Sequence, residues 1–166
     1  MKVTVKVQQS KNIDEQLKRI HKAVQEASNL ECAVGYPKGK SGLGTPEPAY
    51  DSKASIIEVA IWNNYGTKRM PARPFMDLAR QLMEPKYYEA MEKLGPKILK
   101  GEADPRKVLD VIGLQCEQEV RNAIMEGDWA PNAPSTVAHK KSDRPLVDTG
   151  TMRNRVTHEV REHKNA

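Results

Sequence analysis

The sequence predicts an α+β domain: a small, largely antiparallel sheet packed against several helices, with long flexible loops. Three observations lead there. Apolar and polar residues alternate near both ends of the chain, in "KVTVKVQ" and "RVTHEVREH". Between these stretches apolar residues recur at helical spacing, and two Pro-rich segments carry no periodicity at all. No internal repeat divides the 166 residues, which suit a single domain over 1–166 with a mobile loop at about 37–54.

The elements follow in order. Val3, Val5 and Val7 share one face of a half-buried strand over Lys2–Gln8. From Ile13 the period changes: Ile13, Leu17, Ile20 and Val24 follow helical spacing, with Asn12 as N-cap and Glu15 completing a capping box. "LECAVGY", Leu30 to Tyr36, reads as a second strand. Pro37 to Ala54 is rich in Pro, Gly and Lys and reads as a loop that a partner orders. Its glycines do not form a phosphate-binding loop, because no Gly-Lys-Ser/Thr ends the run at a helix start.

Ser55 to Tyr65 returns to helical spacing, and Gly66 sits where a C-terminal cap glycine belongs. Pro71 and Pro74 then force an extended approach, since the residue before each proline is pushed out of the helical region. Pro74 opens a helix with Phe75, Leu78, Ala79 and Leu82 on one face, expected to pause near Pro85. A further helix over 86–100 is expected to break at Gly95-Pro96. Asp104 caps and Pro105 opens the longest helical signal, which runs to Glu126 before Gly127. "WAPNAPSTVAHKKSDRP" reads as a loop, and Val156, His158 and Val160 line one face of a closing strand.

Composition narrows the function classes. Only 38% of residues are apolar, with a single Phe, while 30% are charged, so the core is modest and neighbours are expected to complete some of the surface. The net charge of +5 fits contact with nucleic acid and equally fits a solvated basic surface. Cys32 and Cys116 stand apart, without a CxxC pair or a disulfide framework, and point to a reducing compartment. No apolar run suggests a signal peptide or a membrane span, so the expected place of assembly is the cytosol.

"LVDTG" raises the possibility of an aspartic protease with Asp148 as catalytic carboxylate. Such a dyad needs a second carboxylate and an all-β scaffold. No other Asp-Thr-Gly is present, only sixteen residues follow Gly150, and helical patterns dominate what precedes it. Asp148 and Gly150 are therefore expected to form a structural turn or helix cap. "HEVREH" does not match the zinc-protease HExxH, and no Ser, His and Asp arrangement stands out. The sequence reads as a non-enzyme without catalytic, metal or cofactor residues.

Four local features occur in order: "IEVAIWNNYGT" (57–67), "MPARPFM" (70–76), "WAPNAPSTVAHKK" (129–141) and "RPLVDTGTMRNRV" (144–156). Together they resemble the tail-completion and neck proteins of tailed bacteriophages, including lambdoid minor tail proteins and Mu-like virion morphogenesis proteins. Order and spacing carry the resemblance more than any single motif. Asn63 and Asn64 depart from the pattern, standing where the family often carries Glu. The resemblance implies a structural virion protein, made in the host cytoplasm, that assembles at the head-to-tail junction or the top of the tail. It further implies a homo-oligomeric ring of about six- or twelve-fold symmetry. Its partners would be neighbouring neck, connector or tail-tube proteins, and genome DNA would pass through its lumen.

Arg69, Arg73, Phe75 and Trp129 are the candidates for subunit contacts, and Lys140, Lys141 and Arg144 those for facing DNA. Each has a plainer alternative: Phe75 and Trp129 as core residues, the basic loop as solvated surface. A second function class stays open, a sequence-independent nucleic-acid-binding module held by phosphate contacts. Its aromatics are sparse and not interleaved with the basic residues, as a stacking platform would require.

Overall fold

A computed structural model describes residues 10–36, 54–140 and 142–163. The expected strand over Lys2–Gln8 and the 37–54 loop, apart from Ala54, lie outside the described residues, as does Lys141. The order of elements is α1 (Ser10–Ser28), β1 (Leu30–Gly35), α2 (Ile56–Tyr65), α3 (Phe75–Leu99), α4 (Pro105–Glu126), α5 (Pro134–His139), α6 (Thr151–Asn154) and β2 (Thr157–Glu162). The expected α+β class with a small antiparallel sheet holds. β1 and β2 pair antiparallel, from Leu30 opposite Glu162 to Gly35 opposite Thr157. No described helix is long and apolar enough to cross a membrane.

The long helix α4 organises the rest, with α3 and both strands packed against it. Asp104 caps it, its side chain accepting from Arg106 N–H at 2.9 Å, and Pro105 supplies the pre-set first turn. Two apolar clusters line the α3–α4 pair. Phe75 and Ala79 from the start of α3 meet Val120, Ala123 and Ile124 from the end of α4, together with Ile56, Ala60, Leu146, Met152 and Val156. Ile98, near the other end of α3, meets Val108 and Ile112 from the start of α4. The two helices therefore run antiparallel.

Three local expectations are corrected. α3 continues through Pro85 and Pro96 as one helix of 25 residues, without the pause and the break expected there. Each proline removes one backbone hydrogen bond, at about 3 kcal/mol or more. Both prolines face outward, while Ala79, Met83, Ala90, Met91, Leu94 and Ile98 hold the inner face in packed or partly packed positions along the whole length. Side-chain packing thus outweighs two lost bonds. Secondly, α1 begins at Ser10, so Asn12 lies inside the helix instead of capping it. Thirdly, the 129–145 stretch contains a short helix, α5, opened by Pro134.

Helix α2 ends as its sequence requires. Ser55 caps its start through a reciprocal box with Glu58, and Gly66 leaves its end at φ 75°. A Cβ at Gly66 would sit 2.7 Å from Ala72 N and 2.9 Å from Met70 O, both backbone atoms that cannot yield easily. Gly66→Ala is expected to lower stability by more than about 1 kcal/mol, from the left-handed backbone and the contact together. Phe75→Ala, at a fully buried site, is expected to lower it by about 3–5 kcal/mol. Urea denaturation of both variants against the wild type checks both values.

Candidate functional site

The chain after α2 turns back at once. Thr67 and Met70 exchange backbone hydrogen bonds at 2.8 and 3.3 Å, and Arg73 N–H donates to Asn63 O at 2.8 Å. This turn carries Arg73 inward, where it is only 3% exposed. Among the described residues its guanidinium meets no carboxylate. Nε donates to Ala130 O at 2.9 Å, and Nη2 donates to Pro131 O at 3.1 Å and Asn132 Oδ1 at 3.2 Å. Burial pulls its pKa below the ordinary value. Arginine nonetheless stays protonated in proteins, so these are charge-assisted bonds to neutral acceptors.

Asn132 passes the connection on. Its Nδ2 donates to Asp143 O at 3.0 Å and Arg144 O at 3.2 Å. The next turn holds Leu146 at φ 61°, a backbone region costly for a branched residue, yet its side chain is buried in the core. Val147 O accepts from Lys140 Nζ at 3.2 Å, and burial holds the Lys140 pKa low, against the partial compensation of nearby Asp148. Around these groups lies a cleft of about 250 Å3 lined by Arg69, Met70, Arg73, Asn132, Lys140 and Asp148, among others.

The candidates for subunit contact divide unequally. Arg69 is exposed on the rim of the cleft. Arg73 and Phe75 are buried within their own subunit. Trp129 packs partly buried against the main core and donates from Nε1 to Ala123 O at 2.9 Å. The expectation that Arg73 and Phe75 dock on a neighbour is therefore corrected: each is already occupied by its own chain, and Trp129 is largely so. Lys140 is half-buried on the wall of the cleft, with one of its three N–H donors given to Val147 O. Arg144 remains exposed, its backbone engaged by Asn132 and Ser142. Asp148 is exposed and Gly150 takes φ 79° ahead of α6. The turn is as expected, but the capping bond comes from Thr149, whose Oγ1 accepts from Thr151 N–H at 3.3 Å, and not from Asp148.

Two structural groups escaped the sequence reading. Buried Asn64 caps α3 from a distance, its Oδ1 accepting from Met76 N–H at 3.1 Å. The other is an ionic network between α4 and β2. Buried Glu117 accepts from His158 N and Nδ1 through Oε1, at 3.0 and 2.6 Å, and from Arg121 Nη2 through Oε2 at 2.6 Å. His158 Nε2 lies 3.1 Å from Asp110 Oδ1. With a carboxylate at each ring nitrogen the imidazole is held as a cation. Burial opposes that charge, but Glu117 and Asp110 outweigh it and raise the His158 pKa. Burial likewise opposes the Glu117 carboxylate, and His158 and Arg121 outweigh it and lower the pKa. Gly113 makes the close approach possible, since a Cβ there would meet His158 Cδ2 at 2.3 Å. The one legible signal was an acid on an otherwise apolar stripe of α4. Cys32, beside this network, is pushed up to about 11, chiefly by burial, and stays a thiol at neutral pH.

Arg73→Met is expected to leave the carbonyls of Ala130 and Pro131 without their donor, costing about 1.5–3 kcal/mol. Amide hydrogen exchange over residues 129–147 should accelerate, with little change in the α3–α4 pair distant from it. The ionic network predicts a pH signature. The raised His158 pKa contributes stability in full below 6.5, its ordinary value, and loses it as pH rises through the folded pKa. The lowered Glu117 pKa contributes above 4.5 and is lost as pH falls through the folded pKa. The difference in melting temperature between wild type and His158→Gln should thus be greatest between these two ordinary values and shrink on either side. A difference constant with pH would mean that packing, not charge, is what the substitution removes.

No family model, curated protein or solved structure matches the chain.

Proposed function

We propose that this protein is a structural component of a tailed-phage virion. It forms a ring at the head-to-tail junction or the top of the tail, with a channel for genome DNA. The observation that carries this reading is the meeting of four sequence segments that lie in two distant stretches of chain, 57–76 and 129–156. The 57–67 helix end, the 70–76 extended run, the 129–141 stretch and the 144–156 turn are the features that resemble tail-completion and neck proteins. Asn63 O, the Arg73 guanidinium, Asn132 and Lys140 link all four by hydrogen bonds into one unit. Residues spaced as in that family therefore share one structural purpose here, as motifs of a common fold do.

A ring subunit also needs surface that neighbours cover. Ile61, Trp62 and Tyr65 of α2 are exposed together, with Tyr65 75% exposed. Neighbouring positions on one helix, two of them aromatic, suit the centre of a protein interface. This face replaces Arg73 and Phe75 as the docking candidate. Contact with DNA in the lumen is then collective and electrostatic, through exposed groups such as Arg69 and Arg144. The alternative of a nucleic-acid-binding module has little to stack bases on, because the aromatics are sparse and not interleaved with the basic residues.

The test is Trp62→Asp combined with Tyr65→Asp, after circular dichroism shows that the variant folds. Phage carrying it should make filled heads and complete tails that fail to join, and purified variant should not associate with connector or tail-tube proteins. Free wild-type subunit should bind DNA weakly, with a steep loss of affinity on adding salt. Joined, infectious virions from the folded variant would overturn the docking face. Tight DNA binding by the isolated subunit at physiological salt would favour the nucleic-acid-binding module instead.

A further inference from the structure

Helix α1 carries an apolar face that the described residues leave largely uncovered. Ile13, Leu17, Ile20 and Val24 are 53%, 58%, 41% and 46% exposed. Their spacings of four, three and four residues give a period of 3.5, the repeat that keeps a seam facing a second helix. A helix lying on a globular body shows a broader stripe instead. Ala27 continues the same spacing, but it packs against the cluster of Ile98, Val108 and Ile112 in its own subunit. The free seam thus ends where α1 joins the body. Leu99, also exposed, lies beside Ile20 and widens the apolar area at its flank.

We propose that this seam pairs with α1 of a second copy of the chain, the two helices running antiparallel. Four layers result: Ile13 against Val24 of the second copy, Leu17 against Ile20, and the same two layers repeated by symmetry. The charged and polar residues flanking the seam select the direction. In the antiparallel register Asp14 falls opposite His21 of the second copy, and symmetry makes the pair twice. In a parallel register Gln16 would face His21, and Ala23 would face Ser28, with no opposite charges to meet. The second copy is therefore the occupant whose charge pattern fits, and antiparallel is the direction that uses it. A two-fold contact closes on itself and cannot extend around a ring. The α1 pair is accordingly separate from the docking face of α2 and does not depend on it.

Cysteine pairs distinguish the direction. Ile13 and Val24 are eleven residues apart, which is about 16 Å along one helix, too far for a disulfide within a chain. Under mild oxidation, full-length Ile13→Cys combined with Val24→Cys should give a covalent dimer, while either single substitution should not. Crosslinking by both single variants, with each residue meeting its own copy, would overturn the antiparallel register. Sedimentation should show a concentration-dependent dimer. Leu17→Asp should abolish it and, at dilutions where the wild type is a monomer, leave the melting temperature unchanged, because Leu17 is exposed and outside its own core. Asp14→Lys should weaken the dimer at least several-fold, and adding His21→Glu should restore it. A wild-type monomer at every concentration, or an oligomer indifferent to Leu17→Asp, would overturn the proposal.

Discussion

The arrangement of the 57–156 region depends on one buried cation. The Arg73 guanidinium lies inside the subunit with only backbone carbonyls and one amide oxygen to receive it. A planar group with five donors can reach three acceptors on one short stretch of chain at once. That geometry holds residues 130–132 against the end of α2. Asn132 then holds 143 and 144, and the chain arrives at Leu146 in the one backbone conformation that sends its side chain into the core. Removing the charge would undo several turns that have little apolar area of their own.

A second constraint ties the sheet to α4. A two-stranded sheet is marginal by itself in water. Here its second strand is anchored by buried Glu117, which meets both the backbone N–H and the ring of His158, and by Arg121 donating to Val156 O at 2.8 Å. Buried ion pairs stabilise little over an apolar replacement, but a partner left alone is costly. The network therefore acts mainly on register. A slip of β2 by one residue would turn His158 away from Glu117 and leave the acid buried and alone. In this register the His158 ring and Cys32 pack directly on Gly113, where no side chain stands in the way.

These two constraints leave most of α1, up to Ala27, and the outer face of α2 outside the core. The low apolar fraction is thus divided: an interior between α3 and α4, and large apolar side chains left outside on α1, on α2 and on the outer faces of α3 and α4. A stable fold with apolar residues outside suits a subunit completed by other copies and other proteins.

Local signals in the sequence determined much of the secondary structure. The period of α4, its Asp-Pro start, the glycine after α2 and the alternation in β2 each depend on neighbours within a few residues, so each was legible. The class, with its small antiparallel sheet, followed from them, while the pairing of β1 with β2 came from the tertiary structure. Decisions that set one distant segment against another were not legible. Two prolines predicted interruptions in α3, but packing along α4 kept it whole. Phe75 and Arg73 stand in a segment that reads as an exposed, extended arm, and only the fold shows both buried. Asp148 looked like the cap of α6, and the tertiary turn gave that bond to Thr149. Glu117 and His158 lie 41 residues apart, and their pairing needs the packing of β2 on α4 to exist. The seam of α1 was visible as a period, but a period does not say what covers it. Its exposure became visible only when α2, α3, α4 and α6 had taken their places in the core.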